Sequence, residues 1–258
     1  MKSSQSNRSC LVVVISAALS VATLSAPQTY ATQPDAPQPA SANASMAPVA
    51  VTAQSVAPDS HTGSVSDDLR FAQRKWAEIN YSTLNRGQKL AALDDLATNI
   101  ESMRSTQPEN VELIIWHGIV LATRAGVDGG MSALKTVKQA RNHFATALQI
   151  DEYALDGSAH LSIGSLYYQV PPWPIGFGSS KKARFHLTRA LEINPFGIDS
   201  NFFYAGYLEK TGDLTGALKA LRLALKAPLR PGWEAADAGR RAEVLDAIDR
   251  INKKTLSG

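Results

Sequence analysis

The sequence predicts an all-α protein of about nine helices, and three observations carry that prediction. From residue 65 onward apolar side chains recur every three or four positions, with Pro or Gly closing most segments. No stretch sustains the period-2 alternation of β-branched residues that a strand requires. A small–large–small row also recurs, at Ala183, Leu187 and Ala190 and again 34 residues later at Ala217, Leu221 and Ala224. The expected helices cover roughly 66–80, 86–106, 109–125, 131–150, 156–169, 180–193, 198–211, 214–227 and 234–254.

Two segments precede this body. Lys2 and Arg8 open a positive start, and an apolar run from Cys10 to Leu24 follows. That is the pattern of a secretory signal, with Thr29 and Ala31 as the small residues before a cut. Residues 1–31 are therefore expected to be a signal peptide, and the chain to be exported to a Gram-negative periplasm. Cys10 stands at the start of the apolar run, where a lipoprotein's acylated Cys would follow it, so the chain is not expected to be a lipoprotein. Residues 32–64 are rich in Ala, Pro and Ser. Pro34, Pro37, Pro39, Pro48 and Pro58 oppose helix and sheet alike, so this stretch is expected to be a disordered spacer. Residues 65–258 form the helical domain.

Composition excludes several function classes. Lys and Arg number 26 against 23 Asp and Glu, a formal charge of +3. Loss of Lys2 and Arg8 with the signal leaves 24 against 23, or +1, too little for a broad nucleic-acid surface. The single cysteine excludes a disulfide framework and a Cys-ligated metal. Apart from the signal, no run is long and apolar enough for a membrane span. Membrane contact is accordingly expected only through the signal before cleavage.

The recurring row extends in both directions. Ala140, Phe144 and Ala147 repeat it 43 residues upstream of Ala183, and Pro195 stops the later copy. Each row has a partner helix carrying a small residue: Gly118, Gly164 or Ala205. Small side chains at a crossing let two backbones approach, and Gly212-Asp213 makes the turn between the last pair. Residues 86–106, with Leu96, Ile100, Met103 and then Pro108, form a degenerate first unit.

This layout resembles the tetratricopeptide repeat (TPR), a 34-residue helix–turn–helix unit. The resemblance implies a right-handed solenoid of antiparallel helix pairs that binds other proteins. Within one unit the connection 166–178 reads Leu-Tyr-Tyr-Gln-Val-Pro-Pro-Trp-Pro-Ile-Gly-Phe-Gly, far longer than an ordinary repeat turn. With the Lys181-Lys182-Ala183 that follows, it resembles the T component (TatT-like) associated with TRAP-type transporters. That resemblance covers about 86–228 and implies a periplasmic partner protein, such as a transporter's substrate-binding subunit.

In such a repeat the first helix of each pair lines the concave face. The register places Ile115, Trp116, Leu161, Tyr168, Phe202 and Phe203 there, with no Lys or Arg among the groove-facing positions. An apolar, aromatic groove fits an amphipathic helix of a partner or a small apolar ligand or lipid. The competing expectation is that helix 66–80, through Leu69, Phe71, Ala72, Trp76 and Ile79, folds back and fills it. Trp173, Pro174 and Phe177 form either a docking loop or a packed lid. Homo-oligomerisation stays open.

The sequence offers no chemistry of its own. None of His61, His117, His143, His160 and His186 has the i, i+4 partner of a zinc helix. His143 and His186 precede the large residues Phe144 and Leu187 and are read as structural. Gly176–Lys181 matches neither phosphate-loop nor dinucleotide spacing, so Ser179 or Ser180 is read as a helix cap. No catalytic residue, cofactor or metal is expected, and the chain is read as a non-enzyme.

Overall fold

The computed structural model describes residues 67–257. The expected signal and the whole of the expected spacer lie outside them. The described residues form nine helices and no strand: α1 (Asp67–Asn80), α2 (Arg86–Thr106), α3 (Val111–Asp128), α4 (Ala133–Ile150), α5 (Ala154–Gln169), α6 (Ser180–Ile193), α7 (Ile198–Thr211), α8 (Leu214–Leu225) and α9 (Glu234–Ser257).

Side-chain caps mark four of the helix starts. Asn85 and Gln88 build a reciprocal capping box at the start of α2. Asn110 accepts from the Leu113 N–H, Ser179 from Lys182 and Asp213 from Gly216, each satisfying an otherwise orphaned donor. Gly212 ends α7 with φ +93°, a left-handed conformation that strains any residue with a Cβ. Two expectations need correcting. The third helix runs past its expected end at 125: α3 continues through the buried Gly126 to Asp128, and Gly129 follows as its C-cap. The right-handed part of α5 starts later than expected, because Leu155, Asp156 and Gly157 all take positive φ.

Helices adjacent in the chain pack most closely as α3 with α4, α5 with α6, and α7 with α8. The recurring row makes these contacts. Phe144 is fully buried with its ring over Gly118, so close that a Cβ there would lie 2.6 Å from Cε1. Leu187 covers Gly164 in the same way, at 2.9 Å. In the third pair Ala205 shares a core with Ala217, Leu221 and Ala224. Ala140, Ala147, Ala183 and Ala190 are all buried, whereas Pro195 lies beyond the end of α6.

Both flanking helices close onto this body. α1 packs on α2, α3 and α9, while α9 also touches α7 and α8. Tyr81, in the turn after α1, lies against Gly239 of α9, where a Cβ would come within 2.3 Å of its ring. The inward face of α9 is Ala236, Arg240, Val244, Ala247 and Ile251.

Candidate binding groove

The expected aromatic face divides in two. Its upstream part is buried: Ile115 and Trp116 are fully enclosed, and Leu161 is nearly so. The cover is α1 together with the residue before α9. Trp76 meets Trp116 edge-on at 5.9 Å, and Trp233 stacks on Trp116 at 6.2 Å. Trp76 Nε1 donates to Thr123 Oγ1 at 2.9 Å, which fixes α1 to α3. Leu69 and Ala72 are buried with it, and Phe71 and Ile79 pack partly buried at the margin. The Trp116 indole N–H has no acceptor beneath this cover.

The downstream part stays open. Tyr168 and Gln169 of α5, Phe202, Phe203, Gly206, Glu209 and Lys210 of α7, and the face of α9 at Glu243, Asp246, Ala247 and Arg250 line a groove of about 530 Å³. Phe203 is buried in its floor and Phe202 half-buried, their rings edge-to-face at 5.3 Å. Gly206 makes room for Tyr168, whose hydroxyl would lie 2.7 Å from a Cβ there. Burial pushes the Tyr168 phenol up to about 12, so it stays neutral and able to donate. Gln169 Nε2 donates to that hydroxyl at 3.2 Å, and the buried Gln169 Oε1 has no partner.

Charge pairs hold the walls in place. Lys210 Nζ donates to the Tyr168 carbonyl, tying α7 to the end of α5. Glu209 accepts from Arg250 at 2.8 Å and from Lys254, tying α7 to α9. The Arg250 hydrogen bond, ahead of the other cations, holds the Glu209 carboxyl below its usual range. Deeper in, Arg240 is 1% exposed and lies over the faces of Phe202 and Phe203 at 4.5 and 5.0 Å. Asp199 Oδ1 accepts from Arg240 Nε at 2.6 Å, and Asp199 Oδ2 accepts from Arg230 at 3.0 Å. Arg230 also pairs with Asp237, and Arg240 with Glu243. Burial opposes the Arg240 charge, but Tyr81, Asp199 and Glu243 outweigh it and hold its pKa above the ordinary value.

The inserted loop is well anchored yet presents apolar groups to water. Gly178 N donates to Pro171 O at 2.9 Å and Ser179 N to Tyr167 O at 2.8 Å. Phe177 lies edge-on to Tyr167 at 5.8 Å under the Arg141 guanidinium at 4.5 Å, so it packs. Trp173 and Pro174, joined by a cis peptide bond, are exposed, and Trp173 is 84% accessible.

Four histidines sit in two cross-helix pairs. His160 Nε2 faces Glu152 Oε2 at 3.0 Å, and its Nδ1 faces His186 Nδ1 at 2.9 Å. Neutral rings satisfy both contacts: His160 donates to the carboxylate and accepts from His186. His117 meets Glu101 at 3.0 Å, with its ring 4.5 Å from His143. Burial lowers all four, His143 and His186 to about 4. Among the described residues no group of three His, Cys, Asp or Glu side chains is arranged to hold a metal ion.

Sequence reasoning missed the α9 wall of the groove and the histidine pairing. Signals for both existed: the Ala236–Arg240–Val244–Ala247–Ile251 spacing, and the way His117 and His143 flank the contacting Gly118 and Phe144. Compared with known proteins, the chain matches no family model and no curated sequence significantly.

Proposed function

We propose that the chain is an exported, TPR-like scaffold that holds a segment of another protein in the α5–α7–α9 groove. The observation that carries this reading is the composition of the open groove. Its aromatic floor of Phe202, Phe203 and Tyr168 is ringed by Glu209, Lys210, Asp246 and Arg250, both charge signs together. An apolar centre within a polar rim is the anatomy of a protein interface, and an amphipathic helix matches both parts. The resemblance to the TRAP-associated T component extends the proposal to a periplasmic partner serving a transporter. On this reading the protein is not an enzyme and needs no cofactor.

A second reading has an observation of its own. A groove of about 530 Å³ also suits a small apolar ligand or lipid, and the unpartnered Gln169 Oε1 could accept from such a ligand's polar end. Native mass spectrometry of protein purified from the periplasm separates the two. The scaffold reading expects no bound small molecule, and a partner whose capture is lost in Asp246→Arg with Lys210→Glu. Both side chains are exposed and the variant gives up only the surface tie from Lys210 to the Tyr168 carbonyl, so the fold should survive, with unchanged thermal unfolding as the check. A co-purifying lipid or organic acid would favour the carrier. Partner capture unaffected by the double variant would overturn the groove assignment.

A further inference from the structure

We propose that the α5–α6 loop and the first turns of α6 form a docking surface for an anionic lipid bilayer, independent of the α5–α7–α9 groove. The argument begins with the loop tip. Pro172, Trp173, Pro174 and Ile175 are consecutive and all exposed, Trp173 at 84% and Ile175 at 54%. The tip is presented by a fixed base. Val170 is buried, Gly176 N donates to Pro172 O at 3.0 Å, and Gly178 and Ser179 donate back to Pro171 and Tyr167. Glycine is needed at this base, because a Cβ at Gly178 would lie 2.0 Å from the Val170 carbonyl and one at Gly176 2.5 Å from that of Pro171. An indole held outward on a braced loop has little ordering entropy left to lose when it enters another phase.

Charge selects that phase. From Gly157 to Leu191 the chain holds no Asp or Glu, whereas Lys181, Lys182, Arg184 and Arg189 lie within the same span. Lys181, Lys182 and Arg184 are exposed and pair with no carboxylate among the described residues. They crowd the N-terminal turns of α6, where the helix dipole disfavours positive charge. No carboxylate of the described residues offsets Lys181 and Arg184 there, and an external anion would. Lys182 also lies 5.3 Å over the Tyr167 ring at the loop base, which places one of these cations beside the loop. Phe185 extends it, 63% exposed beside Lys181 and Arg184.

A projecting Trp–Pro–Ile tip flanked by unpaired cations matches a bilayer better than a folded partner. Indole rings favour the headgroup level, an isoleucine beside them reaches the acyl boundary, and Lys and Arg meet lipid phosphates. Expectations from sequence confined membrane contact to the signal; this surface supplies a second, reversible contact.

The test is co-sedimentation of the mature chain with phosphatidylcholine vesicles, with and without phosphatidylglycerol, with brominated lipids as quenchers of Trp fluorescence. Binding should require phosphatidylglycerol, weaken with salt and quench Trp emission. Lys181→Gln, Lys182→Gln and Arg184→Gln should each lower the partition coefficient about fivefold. Trp173→Ala should lower it about tenfold and abolish most quenching while leaving thermal unfolding unchanged. Equal binding to neutral vesicles, no binding at low salt, or full binding by Trp173→Ala would overturn the proposal. Displacement by inorganic phosphate would reduce the surface to a simple anion site. Failure to bind vesicles, with a captured protein lost in Trp173→Ala, would assign the loop to a protein partner instead.

Discussion

Replacing Gly118 by Ala should destabilise the protein although it improves the helix. Ala is favoured over Gly in a helix interior by about 1 kcal/mol. The new methyl, however, would stand 2.6 Å from Phe144 Cε1 and 3.0 Å from two further ring atoms. Phe144 is fully buried, and displacing a ring in a filled core costs about 1–3 kcal/mol. The net loss should be about 1 kcal/mol, or about 3 °C in Tm for a domain of this size. Phe144→Leu alone removes buried carbon and should cost about 1–2 kcal/mol. Combined, the two changes fit together, so the double variant should be less destabilised than the sum of the singles by about 1 kcal/mol. Urea unfolding of the four proteins measures this directly. A Gly118→Ala protein that is more stable than the parent, with no coupling to position 144, would refute the close crossing of α3 and α4.

Other perturbations test other parts of the structure. Asp199→Ala removes the carboxylate that Arg240 and Arg230 share, leaving each with a single acid partner, Glu243 and Asp237, and should cost about 3 kcal/mol in chemical denaturation. Breaking the Arg250–Glu209 clamp through the exposed Arg250→Ala should cost about 1 kcal/mol or less. Gly212→Ala, at φ +93°, should cost about 1–2 kcal/mol by forcing a side chain into the left-handed region. Stability should also fall with pH in a defined window. His143 and His186 titrate near 6.5 when unfolded and about 4 when folded, so the unfolded chain binds more protons between those values. Thermal unfolding should be insensitive to pH above about 6.5 on their account and weaken toward pH 4; solvent screening of these half-buried rings holds the loss to about 2 kcal/mol for the pair. Glu152, held at about 2 by the Arg189 hydrogen bond and then by His160, adds a further loss below its ordinary 4.5. His143→Phe with His186→Phe should flatten the upper part of the curve, read by scanning calorimetry across the same pH range.

What could be read in advance followed periodicity. The helices and the small residues Gly118 and Gly164 at the crossings were legible because a 3.6-residue period marks a buried face, but that Phe144 and Leu187 are the side chains lying over those glycines was not, since the spacing does not say which residue of the facing row meets them. Trp76 belonged to a recognisable plug, but its seat on Thr123 and the approach of Trp233 from far along the chain left no local trace. The groove was legible only in part. Tyr168, Phe202 and Phe203 lie on repeat helices, whereas its opposite wall comes from α9, outside the repeating register. The left-handed residues Leu155 and Asp156 were invisible because neither residue type by itself signals a positive φ in the sequence.

The account centres on the α5–α7–α9 groove as the place where a partner protein lies. A photo-reactive benzophenone side chain at position 246, on the rim, tests it in periplasmically expressed protein, with position 219 on the exposed face of α8 as the control. The account predicts a discrete protein adduct from position 246 and none from position 219. No adduct at 246, or the same adducts from both positions, would contradict it.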